Sequence, residues 1–242
     1  WFRTAAHSGW LVRYLGPFAH TVAVMQSPEA LHRVAFECVE DLAADNVVYA
    51  EIRFAPVLHQ ARGLNLGRVV RAVLRGMEEG RKRTGTDFGV ILCAMRDQQV
   101  SLETAELAVA FRDQGVVGFD LAGDEHGHPP KRHLDAFEYI RSKNFNITIH
   151  AGEAFGKESI WQALQICGAH RIGHATRLRE DMAVSGTRIV QMGTLAEFIL
   201  DKRVPLEMCL SSNIQTGAAE SLDEHPFPVY YRNNFRVFLC TD

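Results

Sequence analysis

Residues 147–156 read ITIHAGEAFG. Ile147, Thr148 and Ile149 are β-branched, the residue types that suit a pleated, half-buried surface. The run then breaks into small residues and glycine at Ala151, Gly152 and Gly156. A strand ends here, and at its end it offers an imidazole, His150, and three residues later a carboxylate, Glu153. Residues 158–168, ESIWQALQICG, continue with helical spacing of apolar positions and a closing glycine.

The same strand–loop–helix unit recurs in both directions from this point. Upstream, Ser27 is a good N-cap, Pro28 suits a first turn, and Leu31, Val34, Cys38 and Leu42 share one helical face. The strand VVYAEIRF follows, then a helix with Val69, Val70, Val73, Leu74 and Met77 on one side, closing near Gly85. Strand FGVILCAMR, helix SLETAELAVAFRDQ, strand VVGFDLAG and helix HLDAFEYIRSK lead into residues 147–156. Downstream come the short strand RIGHA, a helix through LAEFILDK, strand VPLEMCL, a short helix at FPVYYRNN and a last strand, FRVFLCT. No linker, repeat or low-complexity segment interrupts the pattern.

Strands alternating with helices predict a parallel sheet with crossover connections. A closed (β/α)8 TIM barrel is the leading architecture, because 242 residues is near the ~250 such a barrel needs. Seven of its eight strands are legible. The first 26 residues hold only one extended candidate, FAHTVAVM, among scattered large apolar groups (Trp1, Phe2, Trp10, Phe18), and read as a lid or covering segment. The chain lacks an initiator Met and stops on a strand end, so a single partial domain spanning 1–242 is expected.

Composition excludes several classes. A formal net charge of −3 argues against nucleic-acid binding, and the basic run at residues 81–83 complements a helix C-terminus. No apolar run reaches the ~18 residues of a membrane span. The five cysteines form no CxxC pair and read as buried hydrophobes in a reducing, cytoplasmic setting. Oligomeric state is not legible.

In such barrels chemistry collects at the carboxyl ends of the strands. Here those ends are RFAP, DLAGDE, HAGE, GHA, SSN and TD. His150, Glu153, His174 and Asp242 come from three of them, and two imidazoles with carboxylates at one mouth suit a divalent metal and an acid–base pair. Other candidates carry blander readings. His126 and His128 have HxH spacing but sit in a loop against two prolines, and read as solvated. His170, four residues before His174, reads as a turn residue. Glu51 and Arg53 share a strand face and suggest an ion pair inside the barrel. Asp120, Asp124 and Glu125 read as loop-shaping, and Ser211, Ser212 and Asn213 as pocket-shaping.

Taken together, VVYAEIRFAP, VVGFDLAGDE, ITIHAGE, RIGHATRL, LEMCLSSNIQTGA and HPFPVYYRNNFRVFLCTD occur in an order that resembles the adenosine deaminase family, zinc-dependent amidohydrolases on a (β/α)8 barrel, in its bacterial form. The resemblance implies hydrolytic deamination of adenosine, with deoxyadenosine, to inosine and ammonia, using zinc-activated water and a small purine nucleoside as substrate. It makes His150 and Asp242 zinc ligands and Glu153 the acid that protonates purine N1. His174 becomes the group that orients and deprotonates the water, and Gly123 the backbone N–H that meets purine N3. The family's HxH ligand pair and a second C-terminal aspartate have no counterpart here. Two of four zinc ligands are therefore expected, with weak zinc binding and no turnover by the chain as given. The alternatives are a related aminopurine deaminase and a non-catalytic small-molecule-binding barrel.

Overall fold

The computed structural model describes residues 9–242; Trp1 and Phe2 lie outside the described residues. Seven parallel strands occur in chain order among those residues: β1 (Tyr49–Phe54), β2 (Asp87–Met95), β3 (Val116–Ala122), β4 (Thr148–Ala151), β5 (Arg171–His174), β8 (Leu206–Met208) and β9 (Val237–Leu239). Two further strands, β6 (Met182–Ser185) and β7 (Arg188–Met192), make an antiparallel hairpin apart from this run. The parallel strands form one ladder of β1–β2–β3 and another of β4–β5–β8–β9, joined by a bridge from Phe119 to Ile147.

The sheet curls. Arg53 on β1 is ion-paired with Asp120 on β3 at 2.9 Å and also with Glu207 on β8. Arg171 on β5 reaches Glu51 on β1 at 2.7 Å and Glu207 at 2.8 Å. In a flat sheet β1 and β8 would stand about 24 Å apart, at ~4.8 Å per strand. Direct contact between them requires the run to bend round into a barrel, with these side chains inside it. Glu51 and Arg53 therefore do lie in a charged barrel interior, but each takes partners across the barrel instead of pairing with the other. Residues two apart on a strand share a face, while cross-barrel partners come closer.

Packing outside and between the strands is apolar. Val90, Ile91, Leu92 and Ala94 of β2 are fully buried, as are Ile149 and Ile172 on β4 and β5. Near-continuous burial is what a parallel sheet covered by helices produces. The helix Pro28–Ala44 starts as its sequence predicts, with Ser27 Oγ accepting from the Ala30 N–H. The helix Leu66–Thr84 ends at Gly85, which takes a left-handed φ of 82°.

Two local readings change. FAHTVAVM is not extended: Phe18–Val24 is helical, following Pro17 and the shorter helix Leu11–Leu15. Its β-branched residues gain nothing from an extended form without a neighbouring strand to pack against, and Thr21 Oγ1 bonds back to the Phe18 carbonyl at 2.8 Å. The hairpin β6–β7 escapes the helix-and-strand alternation because it is an insertion between a barrel strand and its helix, Thr194–Asp201. Its turn holds Gly186 at φ 59°.

Candidate functional site

The candidate residues meet at the carboxyl ends of β4, β5 and β9. His150 Nε2 lies 3.6 Å from Asp242 Oδ1, and His174 Nε2 lies 3.8 Å from the same oxygen. Glu153 Oε2 is 3.5 Å from His174 Nε2, and the two imidazole rings are 5.0 Å apart at an angle of 57°. His174 and Glu153 are buried, at 1% and 5% exposure. Gly123 follows β3 with φ 100°, a backbone that disfavours any side chain, and lies at the same end of the barrel.

Each of these side chains is held by the local fold. Gly173 on β5 is the register partner of His150 on β4, and a Cβ at 173 would sit 3.2 Å from the His150 Cα. Gly173→Ala is expected to lower stability by about 1–3 kcal/mol through overpacking, measured by urea denaturation. One residue on, His174 and Ala175 take left-handed φ values of 66° and 53°. That turn lets the Ala175 N–H bond to the Ala151 carbonyl at 3.1 Å. Backbone strain in two consecutive non-glycine residues is a mark of functional sites.

The loop carrying Glu153 wraps around one buried carboxylate. Glu125 accepts the N–H groups of Gly152 (2.6 Å), Glu153 (3.0 Å), Ala154 (2.7 Å) and Phe155 (2.9 Å). The loop-shaping role expected of Glu125 is visible here in four hydrogen bonds. Thr216 Oγ1 donates to Glu153 Oε1 at 3.0 Å, which leaves Oε2 facing the histidines.

Asp120 supports His150. It is fully buried, and its carboxylate lies 3.1 Å from His150 Nδ1 while also receiving Arg53. Burial raises the Asp120 pKa, but His150 and Arg53 outweigh this and hold it well below the carboxylate range. Burial likewise lowers that of His150, yet Asp120 and a bond to Asp242 lift it to about 10. Asp242, which also accepts from Ser212 Oγ at 2.5 Å, is held low by the two histidines against the effect of burial.

These groups fit a divalent metal. His150, His174 and Asp242 each offer a ligand atom within 4.8 Å of the others. Tetrahedral zinc with bonds of ~2.0–2.1 Å separates its ligand atoms by about 3.3 Å, close to the 3.6 Å between His150 Nε2 and Asp242 Oδ1. A carboxylate behind a ligating histidine, as Asp120 stands behind His150, is the usual support for such a ligand. His126 and His128 join no such cluster among the described residues; His126 is exposed and His128 bonds to its carbonyl at 3.0 Å. His170 sits in the turn before β5 and accepts the Ile147 N–H at 3.2 Å.

Sequence reasoning passed over three contributors. Arg96, at the end of β2, donates to the His150 carbonyl and, at 2.7 Å, to that of His128. Thr216 and His225 lie in the loops after β8, where no periodicity marks them. His225 is 3% exposed, and burial with the nearby His174 lowers its pKa to about 4. Because the unfolded chain binds this proton more readily, stability contributed by neutral His225 is full above pH 6.5 and is lost as pH falls toward 4. A loss on the order of 3 kcal/mol follows from a shift of this size. The melting temperature should fall over that interval, and less steeply in His225→Gln.

Comparison with known proteins gives the family and the fold. The adenosine deaminase family model matches residues 1–242. The adenosine deaminase of Mycolicibacterium vanbaalenii is 59% identical over 246 residues, and that of Mycobacterium leprae 57% over 247; each match covers all of this chain and 68% of the relative. Among solved structures, the N6-mAMP deaminase of arabidopsis superposes with a TM-score of 0.85 at 28% identity, covering 100% of this chain and 70% of that one. The adenine deaminase of Arthrobacter aurescens shares the fold, with a TM-score of 0.88 at 24% identity over 99% of this chain and 70% of that one. With its curled run of seven parallel strands, its histidines and carboxylates at the strand ends and a match over the whole of its length, this chain belongs to the adenosine deaminase family, on a (β/α)8 barrel.

Proposed function

We propose that this chain carries the catalytic face of an enzyme that hydrolyses adenosine, and deoxyadenosine, to inosine and ammonia. The observation that carries the reading is the convergence of His150, Glu153, His174 and Asp242, from three strand ends, linked in a chain of contacts each under 4 Å. His150 and Asp242 are the residues that would hold zinc. Zinc bound there supplies a Lewis acid that makes water acidic enough to attack near neutral pH.

The chain's own groups do the rest. Attack at C6 of the purine breaks ring aromaticity, so N1 must gain a proton as C6 becomes tetrahedral. Glu153 supplies it from Oε2, the oxygen that Thr216 leaves open. The C6–N bond then breaks as the amino group takes up a proton given up by the attacking water, and ammonia departs. His174 orients the attacking oxygen, and the Gly123 N–H holds purine N3. Burial of Glu153 and His174 keeps bulk water from competing for these bonds.

Residues 9–24 fit a covering segment of the same single domain. The Gly9 N–H donates to the Gln215 carbonyl at 3.0 Å, beside the helix that carries Asn213. The Tyr14 hydroxyl pKa is raised by burial and by Asp242, which supports that reading. No described helix is long and apolar enough to cross a membrane. The five free cysteines suit a reducing, cytoplasmic setting.

The test is ammonia release by the protein carrying this chain, with adenosine, deoxyadenosine, adenine and AMP. Adenosine and deoxyadenosine should be turned over at least ten times faster than the others. Removal of metal with a chelator should abolish the activity and zinc restore it. Release from adenine or AMP alone points to the related aminopurine reading, and none with zinc present points to a binding barrel.

A further inference from the structure

We propose that His225 and Asn213 form a hydrogen-bond relay that fixes His174 in the tautomer with its proton on Nε2, so that His174 faces the site as a donor and not as a base. The chain of reasoning starts from an unambiguous donor. The Phe227 backbone N–H points at His225 Nδ1 over 3.1 Å. That nitrogen must therefore carry a lone pair, and the proton of the neutral ring lies on Nε2. His225 Nε2 is 3.1 Å from Asn213 Oδ1, which accepts it. This settles which way the Asn213 amide points, an orientation that is otherwise ambiguous. Its Nδ2–H then donates to His174 Nδ1 at 2.9 Å. His174 Nδ1 is an acceptor, and its proton sits on Nε2.

Burial supports the relay. Asn213 is fully buried, and His225 and His174 are 3% and 1% exposed, so no water is at hand to replace a lost partner. Protonating His225 at Nδ1 or His174 at Nδ1 would set two donors face to face. The Nε2 of His174 faces Asp242 Oδ1 at 3.8 Å, an acceptor when ionised, with Glu153 Oε2 at 3.5 Å. This inference rests on the deaminase reading for its catalytic meaning. The orienting part of the role expected of His174 stands. The deprotonating part does not, because a nitrogen that already holds its proton has no lone pair to offer. A proton leaving the attacking water passes to a carboxylate oxygen, with no change at His174. Asn213 and His225 are positioning residues: neither reaches the reacting atoms.

The test reads tautomers directly. Long-range 1H–15N correlation spectra of the 15N-histidine-labelled chain, assigned with single His variants, should show both His174 and His225 as Nε2–H tautomers at neutral pH. An Nδ1–H pattern for either ring overturns the relay. Asn213→Asp offers a carboxylate to both neighbours and should convert His174 to the Nδ1–H form. In the active protein the same change should lower kcat at least tenfold with KM changed less than threefold. A substitution that only loosened the fold would move KM as well and leave the His174 tautomer as it was. If Asn213→Asp does not fold, His225→Leu should leave His174 an average of two tautomers, and His225→Gln, which can still accept from Phe227 and donate to Asn213, should keep Nε2–H. Correct tautomers in a protein that releases no ammonia would remove the deaminase reading and leave the relay; wrong tautomers in an active one would do the reverse.

Discussion

Glu153→Gln is expected to cut deamination by ~10²–10⁴-fold, the usual size of a lost general acid, while the fold and the bound metal stay as they were. The amide matches the carboxylate in shape and can still accept from Thr216 at the Oε1 position. What it lacks is a transferable proton. Because that proton matters most as C6 becomes tetrahedral, the loss belongs in kcat, and binding of inosine should be unchanged. A competing account makes Glu153 a helix cap for the segment behind β4. The structure gives that account no support: the helix Lys157–Gln165 is preceded by Gly156 and has no side-chain cap. Zinc content, melting temperature and kcat of one purified variant decide the matter. Turnover within threefold of normal would refute the acid role.

Glu125→Ala should cost about 3–5 kcal/mol of stability, as removal of one side of a buried charged network does. Four backbone N–H groups lose their acceptor at once, and the site is too enclosed for solvent to restore them all. Those N–H groups belong to residues 152–155, so the loop that aims Glu153 loses its template. Turnover should collapse at temperatures where the rest of the molecule is still folded. Glu125→Gln, which keeps one carbonyl oxygen but turns an NH2 group toward the remaining donors, should recover only part of the loss. Urea denaturation with activity measured alongside separates the two effects. A cost below 1 kcal/mol would mean that water fills the nest.

The fold was legible where a single physical signal dominated. Seven barrel strands and their helices could be read from apolar period, sharpened in places by glycine punctuation, as at Ile147, Ile149 and Gly152. The strand ends then nominate His150, Glu153, His174 and Asp242 through topology. What could not be read depends on contacts made across the chain. Asn213 and His225 act through hydrogen-bond partners in other segments, and their own neighbours in sequence carry no periodic pattern. Glu51 and Arg53 could be placed inside the barrel, but their partners Arg171, Asp120 and Glu207 lie 67 to 154 residues away. Helix Phe18–Val24 was missed for the opposite reason. Its β-branched residues suit an extended form only beside a partner strand, and no described strand pairs with it.

Arg53 has a meaning for how the chain folds. The two ladders of parallel strands meet through a single backbone bridge, Phe119 to Ile147, whereas Arg53 grips Asp120 in one ladder and Glu207 in the other. The second of those contacts closes a loop of 154 residues, and the entropy of such a closure must be overcome before the contact returns anything. The guanidinium therefore locks late, after each ladder has formed, and from then on neither ladder opens without the other. Amide exchange in the centres of β2 and β5 should then proceed at the same slow rate, as one cooperative unit and not as two half-barrels.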